Sequence, residues 1–133
     1  MPTKIGIVVS DFNDEITSKM ERKAESTAKQ LKLNLAKTVH VPGSFEIPFA
    51  ADLLIKKVGA LVVLGVVIGG ETYHDVVIMN AISSKILDIS LKYGKPIGFG
   101  IIGPRATWKQ AESRAEEYAE RAVKAVYKLL KLK

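Results

Sequence analysis

The stretch from Ala60 to Asp75, ALVVLGVVIGGETYHD, constrains the fold more than any other part of the chain. Leu61 to Val67 is an unbroken apolar run, rich in β-branched residues. A strand with one solvated face would alternate polar and apolar positions; a continuous run reads as a strand buried on both faces of a sheet. It ends in Gly69-Gly70 and a polar turn, Glu71-Thr72-Tyr73-His74-Asp75. Val76, Met79, Ala81, Ile82, Ile86 and Ile89 then recur at helical spacing. A buried strand therefore feeds a small-residue turn that opens a helix. In a parallel sheet this turn lies at the carboxyl edge, where α/β proteins place ligands. The helix start offers unpaired N–H groups and the positive dipole end, which suit an anion. An imidazole, the side chain that titrates nearest neutrality, sits on the same turn.

The remaining chain repeats the pattern. Lys4 to Val9 is a short β-branched strand, followed by the turn Asp11-Phe12-Asn13-Asp14, in which Asn13 or Asp14 can cap a helix. Ile16, Met20, Ala24, Ala28 and Leu31 mark that helix. Asn34 to His40 is a strand of mixed polarity, expected at a sheet edge. Val41 to Pro48 leads into a short second helix that ends near Lys57, with Pro48 in its first turn and Gly59 placed to take the left-handed conformation after it. The helix after the central strand stops at Tyr93-Gly94, and Pro96 to Ile102 forms the last strand. Gly103 to Ala106 reads as a loop, Thr107 as an N-cap, and the final helix runs to about Leu132 on the stripe Ala111, Ala115, Tyr118, Ala122, Val126 and Leu129.

Four βα units in a row predict one α/β domain over residues 1–133. The expected fold is a three-layer α/β/α sandwich, flavodoxin-like, with a four-stranded parallel sheet of order 2-1-3-4. The loops Ser10–Asn13, Val41–Glu46, Ile68–His74 and Gly103–Thr107 then meet at one edge. Every unusual residue cluster in the sequence falls in one of them. The net charge of +6 is spread over helix surfaces among acids, without the basic-aromatic interleaving of a nucleic-acid binder. No run reaches the length of a membrane span, no export signal precedes the first strand, and the chain has no cysteine for a disulfide or thiolate metal site. The expected location is cytoplasmic.

KIGIVVSDFNDEITSKM at 4–20, VPGSFEIPFAA at 41–51, LGVVIGGETYHDVV at 64–77, YGKPIGFGII at 93–102 and QAESRA at 110–115 together resemble the 6,7-dimethyl-8-ribityllumazine synthase family, in co-linear order over nearly the whole chain. Gly69 stands where many bacterial members carry a basic residue. The resemblance implies condensation of a ribitylaminopyrimidinedione with 3,4-dihydroxy-2-butanone 4-phosphate, with no redox cofactor and no metal. It implies a homopentamer, which in some members builds an icosahedral shell, with the active site between subunits.

Residue by residue, the resemblance makes Phe12 a platform for the pyrimidine, with Asn13 as helix cap and site wall. It gives Ser44, Phe45 and Glu46 to the ribityl chain, and Val67 and Ile68 to the pyrimidine edge. Gly70, Glu71 and Thr72 supply N–H groups to phosphate, and His74 acts as general acid and base. Phe99 and Arg114 come from the neighbouring subunit, Phe99 lining the pocket and Arg114 binding phosphate; Arg121 is a further basic residue near it. Plainer readings stand beside these. Phe12 is equally a core aromatic, Glu46 a helix-start acid, His74 a surface or capping histidine, and Arg114 the partner of a helix glutamate. Asp75 is adjacent to His74, but neighbours at a helix start need not face each other. His40 reads as structural. A flavin-binding carrier or a non-catalytic flavin or lumazine binder would use the same fold.

Overall fold

The strand read from Leu61 to Val67 lies third in sequence and inside the sheet. A computed structural model describes residues 3–133. Its elements are β1 (Lys4–Ser10), α1 (Asp14–Gln30), β2 (Asn34–Val41), a single 3-10 turn at Ser44–Glu46, α2 (Ile47–Leu54), β3 (Ala60–Ile68), α3 (His74–Tyr93), β4 (Ile97–Ala106) and α4 (Trp108–Leu130). The four strands are parallel in the order β2-β1-β3-β4. This is the predicted three-layer, flavodoxin-like architecture.

Period-two alternation along the strands divides the core. Ile5, Ile7, Val9, Val62, Leu64 and Val66 face α1 and α4, meeting Ile16, Met20, Ala115, Ala119 and Val123. Val8, Leu61, Val63 and Ile101 face α2 and α3, meeting Ile47, Ala51, Ile82 and Ile86. Each such buried aliphatic contributes roughly 1.5–3 kcal/mol relative to exposure. Because β3 serves both layers, seven of its nine residues are buried.

The helix boundaries follow local chemistry. Pro48 lies in the first turn of α2. Gly94, at φ 61°, closes α3 in the left-handed region that glycine enters without a Cβ clash. At α4, the Thr107 hydroxyl accepts from the Gln110 amide at 3.1 Å, and the Gln110 side chain accepts from the Thr107 amide at 3.0 Å, a reciprocal capping box.

The structure corrects four local expectations. α2 ends at Leu54 rather than near Lys57, and α4 ends at Leu130. Gly59 does not take a left-handed φ; its amide donates to the Lys4 carbonyl at 2.8 Å, and a Cβ there would run into Thr3. Residues 103–106 are not a loop but the end of β4. The ladder slips between Val66 and Ile68, then resumes with Ile68 opposite Ala106. Gly103 and Arg105 carry the irregularity at positive φ, and the Gly103–Pro104 peptide is cis. Glycine and proline signal a break, but an edge strand absorbs both in a bulge, since no neighbour needs the missing proline N–H.

Candidate functional site

All four βα loops lie at the carboxyl ends of the strands, and two sets of them interlock. The Asp11 amide donates to the Val41 carbonyl at 2.8 Å and the Phe12 amide to the Pro42 carbonyl at 3.0 Å. The loop after β1 is thereby fixed against the loop after β2. Beside them, the end of β3 and the start of α3 complete a cleft of about 410 Å³. It is lined by Phe12, Gly43, Ser44, Phe45, Val66, Val67, Ile68, Gly70, Thr72, His74, Asp75 and Ile78. The walls are mainly apolar, with a few polar groups gathered at the α3 end, the usual character of a small-molecule site.

Phe12 is 69% exposed and stands on the cleft rather than in the core, so the core-aromatic reading of this residue falls. Phe45 is likewise exposed on the cleft. Ser44 is buried, and its hydroxyl donates inward to the Val66 carbonyl at 3.4 Å. Glu46 is exposed at the N-cap of α2, outside the cleft lining, but its carboxylate reaches back to Gly43, which does line it. Its amide donates to the Gly43 carbonyl at 3.1 Å. Asn13 caps α1 in a left-handed conformation with φ 64°, through its carbonyl, which accepts the Ile16 and Thr17 amides. Its side-chain amide makes no cap and lies outside the cleft lining.

The turn after β3 behaves as its composition requires. Gly70 and Thr72 line the cleft, while Glu71 is exposed outside it. His74 opens α3, with its side chain exposed on the cleft and its amide donating to the Thr72 hydroxyl at 3.3 Å. Asp75 does not orient His74. It is only 4% exposed, and its Oδ2 accepts the Arg105 backbone amide at 2.6 Å, so it ties α3 to the end of β4.

Besides Asn13, Glu46 and Glu71, two more predicted residues are not in this cleft. Phe99 lies on β4 in a separate hollow with Ile97, Tyr118, Arg121, Ala122 and Ala125. Arg114 lies on α4 in a smaller one with Ile102, Gly103, Pro104, Arg105, Ala106, Gln110 and Tyr118. Among the described residues Arg114 makes no ion pair, so the plainer reading, a bridge to a helix glutamate, does not hold. Arg121 does pair, with Glu117 at 3.5 Å, and lies 5.6 Å from the Tyr118 ring centre.

A sequence model of the 6,7-dimethyl-8-ribityllumazine synthase family matches residues 2–133. The chain belongs to this family.

Its relatives that carry the name 6,7-dimethyl-8-ribityllumazine synthase include one from Staphylothermus marinus, 49% identical over 129 residues, which span 96% of this chain and 86% of the relative. A second, from Saccharolobus islandicus, is 46% identical over 96% of this chain and 84% of its own length. A third, from Metallosphaera sedula, is 46% identical over 95% and 85%. The similarity thus spans all four βα units of this lumazine synthase-family chain, and with them every loop that contributes to the cleft.

Sequence reasoning missed Arg105, Val66, Gly43 and Ile78. The last three are neighbours of predicted residues on the same elements. Arg105 was lost because residues 103–106 read as a loop of no particular direction. The available signal was a lone cation on a turn already placed at the site edge.

Proposed function

We propose that the protein is a transferase of riboflavin biosynthesis that makes 6,7-dimethyl-8-ribityllumazine. The substrates are 5-amino-6-(D-ribitylamino)uracil and 3,4-dihydroxy-2-butanone 4-phosphate. The pyrimidine's free amine attacks the ketone and water leaves to give an imine. Phosphate is then eliminated, and the second nitrogen closes the ring with further loss of water. The observation that carries this reading is the joint placement of Phe12, Phe45, Thr72 and His74 on one cleft, in a chain of this family.

Each part of the cleft answers one demand of the reaction. A flat heterocycle stacks on an exposed aromatic, for which Phe12 is placed. Val67 and Ile68 hold the pyrimidine edge through strand-end backbone groups. The ribityl hydroxyls meet the backbone of Ser44 and Phe45 and the Glu46 carboxylate at the rim. The phosphate lies against Gly70, Glu71 and Thr72 at the start of α3, where free amides and the helix dipole favour an anion. His74, on the same turn, takes the amine proton and returns one to the departing oxygens. Holding both reactants in one pose removes the entropy cost of a bimolecular step.

The cleft is one half of the site. Phe99 and Arg114 lie on the β4–α4 side of the chain, and we assign them to the cleft of a neighbouring copy, Phe99 covering the pyrimidine and Arg114 binding the phosphate through its guanidinium fork. Two different patches that complete one another make a head-to-tail interface, and such an interface forms a ring when the rotation between copies closes. The family resemblance makes the ring a pentamer. Exposed Phe49, Leu53, Val77, Leu87 and Leu91 on α2 and α3 support a covered face there. Each chain is read as one catalytic domain over residues 1–133, working in the cytoplasm.

The direct test supplies both substrates to the purified protein and follows lumazine fluorescence beside mass by light scattering. Turnover in a pentamer or larger assembly supports the reading. Tight ligand binding without turnover, or activity in a single chain, contradicts it.

A further inference from the structure

Arg105 touches nearly every part of the turn that precedes α3. Its Nη1 donates to the Thr72 carbonyl at 3.3 Å and its Nη2 to the Gly70 carbonyl. Its backbone amide donates to Asp75 Oδ2 at 2.6 Å, and its Nε lies 3.6 Å from the same oxygen. The guanidinium carbon sits 4.9 Å from the centre of the Tyr73 ring. Arg105 lines the hollow that holds Arg114, and it is absent from the lining of the cleft.

The orientation of two peptide groups follows. In a trans peptide the C=O and N–H point in opposite directions. With the Gly70 and Thr72 carbonyls turned to the guanidinium, the amides of Glu71 and Tyr73 are turned away from it. Among the described residues neither amide donates to another group of the chain. The turn is therefore held with two free donors, one on each side of Thr72 in sequence, turned away from Arg105. We propose that Arg105 is a positioning residue: it aligns the anion-binding turn by its carbonyls and does not itself bind the phosphate. This rests on the lumazine synthase reading of the cleft given above.

The neighbouring residues fit that role. Gly69 leaves the room the guanidinium occupies: a Cβ at this position would stand 2.9 Å from Arg105 Nη2 and 3.0 Å from its Cα. Asp75, buried beneath the turn, offsets the charge of Arg105 and fixes its backbone. A lysine has no fork with which to span two carbonyls and a carboxylate.

Kinetics with each substrate varied in turn test the proposal on Arg105→Ala, Arg105→Lys, Gly69→Ala and the Gly69→Ala/Arg105→Ala double variant. Loss of Arg105, or its displacement in Gly69→Ala, is expected to raise KM for the butanone phosphate about tenfold. KM for the pyrimidine should stay within about twofold, Arg105→Lys should recover only part of the loss, and the double variant should be no worse than Arg105→Ala. An unchanged KM for the phosphate substrate overturns the proposal, as does an equal rise in both KM values. A second measurement needs neither a variant nor turnover. Inorganic phosphate titrated into the wild-type assembly should move the Glu71 and Tyr73 amide signals and leave Arg105 Nε in place. A shift of Arg105 Nε with unmoved amides makes Arg105 a ligand and overturns its positioning role. Absence of lumazine formation by the wild type would instead defeat the functional reading, with the phosphate titration still deciding the part played by Arg105.

Discussion

The two helical layers cover the same sheet and finish differently on their outer sides. α1 and α4 are amphipathic. Their apolar stripes meet β1 and β3, and ion pairs join them across the surface, Lys19 to Glu112 at 3.5 Å and Lys23 to Glu120 at 3.7 Å. α2 and α3 bury an equally regular stripe but also expose apolar residues: Phe49 and Leu91 are each 73% accessible, and Leu53, Val77 and Leu87 are exposed on the same two helices. A helix that ends in water needs a polar outer face; one that is apolar on two sides needs a second partner. The seam between α1 and α4 is closed by ion pairs within one chain, while the β4 side of α4 carries the half-site assigned above to a neighbour's cleft. The α2–α3 layer, which also carries the cleft, is built to be covered.

The sharpest way to break this comparison is through catalysis. His74→Ala, at the α3 end of the cleft, is expected to lower kcat by about 100-fold or more without altering mass. Glu117→Ala, on the outer face of α4, should leave turnover unchanged. Equal losses in the two variants would deny the cleft its special standing. Next comes assembly. Leu87→Asp with Leu91→Asp places charges on the exposed α3 face and should yield single chains by light scattering, while Lys124→Asp with Lys128→Asp on α4 should keep the native mass. Dispersal by the α4 pair alone would reverse the assignment of layers. Third, Phe12→Ala should raise KM for the pyrimidine about tenfold, as expected for the loss of one stacking partner, with little change for the butanone phosphate.

The smallest effect belongs to the α1 side. His40 on β2 holds Asp11 through Nδ1 at 2.7 Å and Glu21 through Nε2 at 3.1 Å. The hydrogen bond to Asp11, with Glu21 adding to it, raises the His40 pKa above the ordinary histidine value against a smaller opposing effect of burial. Nearby Glu25 is raised mainly by burial and then by Glu21, while His40 pulls it down. Protonated His40 is thus favoured in the folded chain. Its contribution to stability is complete below about pH 6.5, the unfolded value, and fades as pH rises through the higher folded value. The melting temperature of His40→Gln should therefore fall furthest below wild type at low pH, with the gap closing in alkaline solution. A gap that widens with pH would show that the imidazole works there as a neutral group.

The sheet order, the four helices and the cleft positions Val67, Ile68, Gly70, Thr72 and His74 were legible because hydrophobic period reports burial directly. Leu61 to Val67 could only be a central strand, and a turn of Gly, Thr and His after it could only fall at its carboxyl edge. The 103–106 segment was misread for an equally physical reason: Gly and Pro carry a local signal for a break, whereas the ladder pairing that overrides it is made by Ile68 and Gly69, far away in sequence. Arg105 and Asp75 were obscured by the same error, since their contact spans 30 residues. For Glu46 and Asn13, side-chain type indicated the right loops, but only coordinates distinguish a carboxylate at the rim from a cleft wall.

The claim on which the rest depends is that one working site takes its parts from two copies. It is tested most directly by mixing two dead proteins. His74→Ala and Arg114→Ala each lack one half-site; unfolded together and reassembled at equal amounts, they should regain about a quarter of wild-type turnover, because about one interface in four pairs two intact halves. A mixture that stays inactive, though it reassembles to native mass, would place both residues in the same half and contradict a shared site.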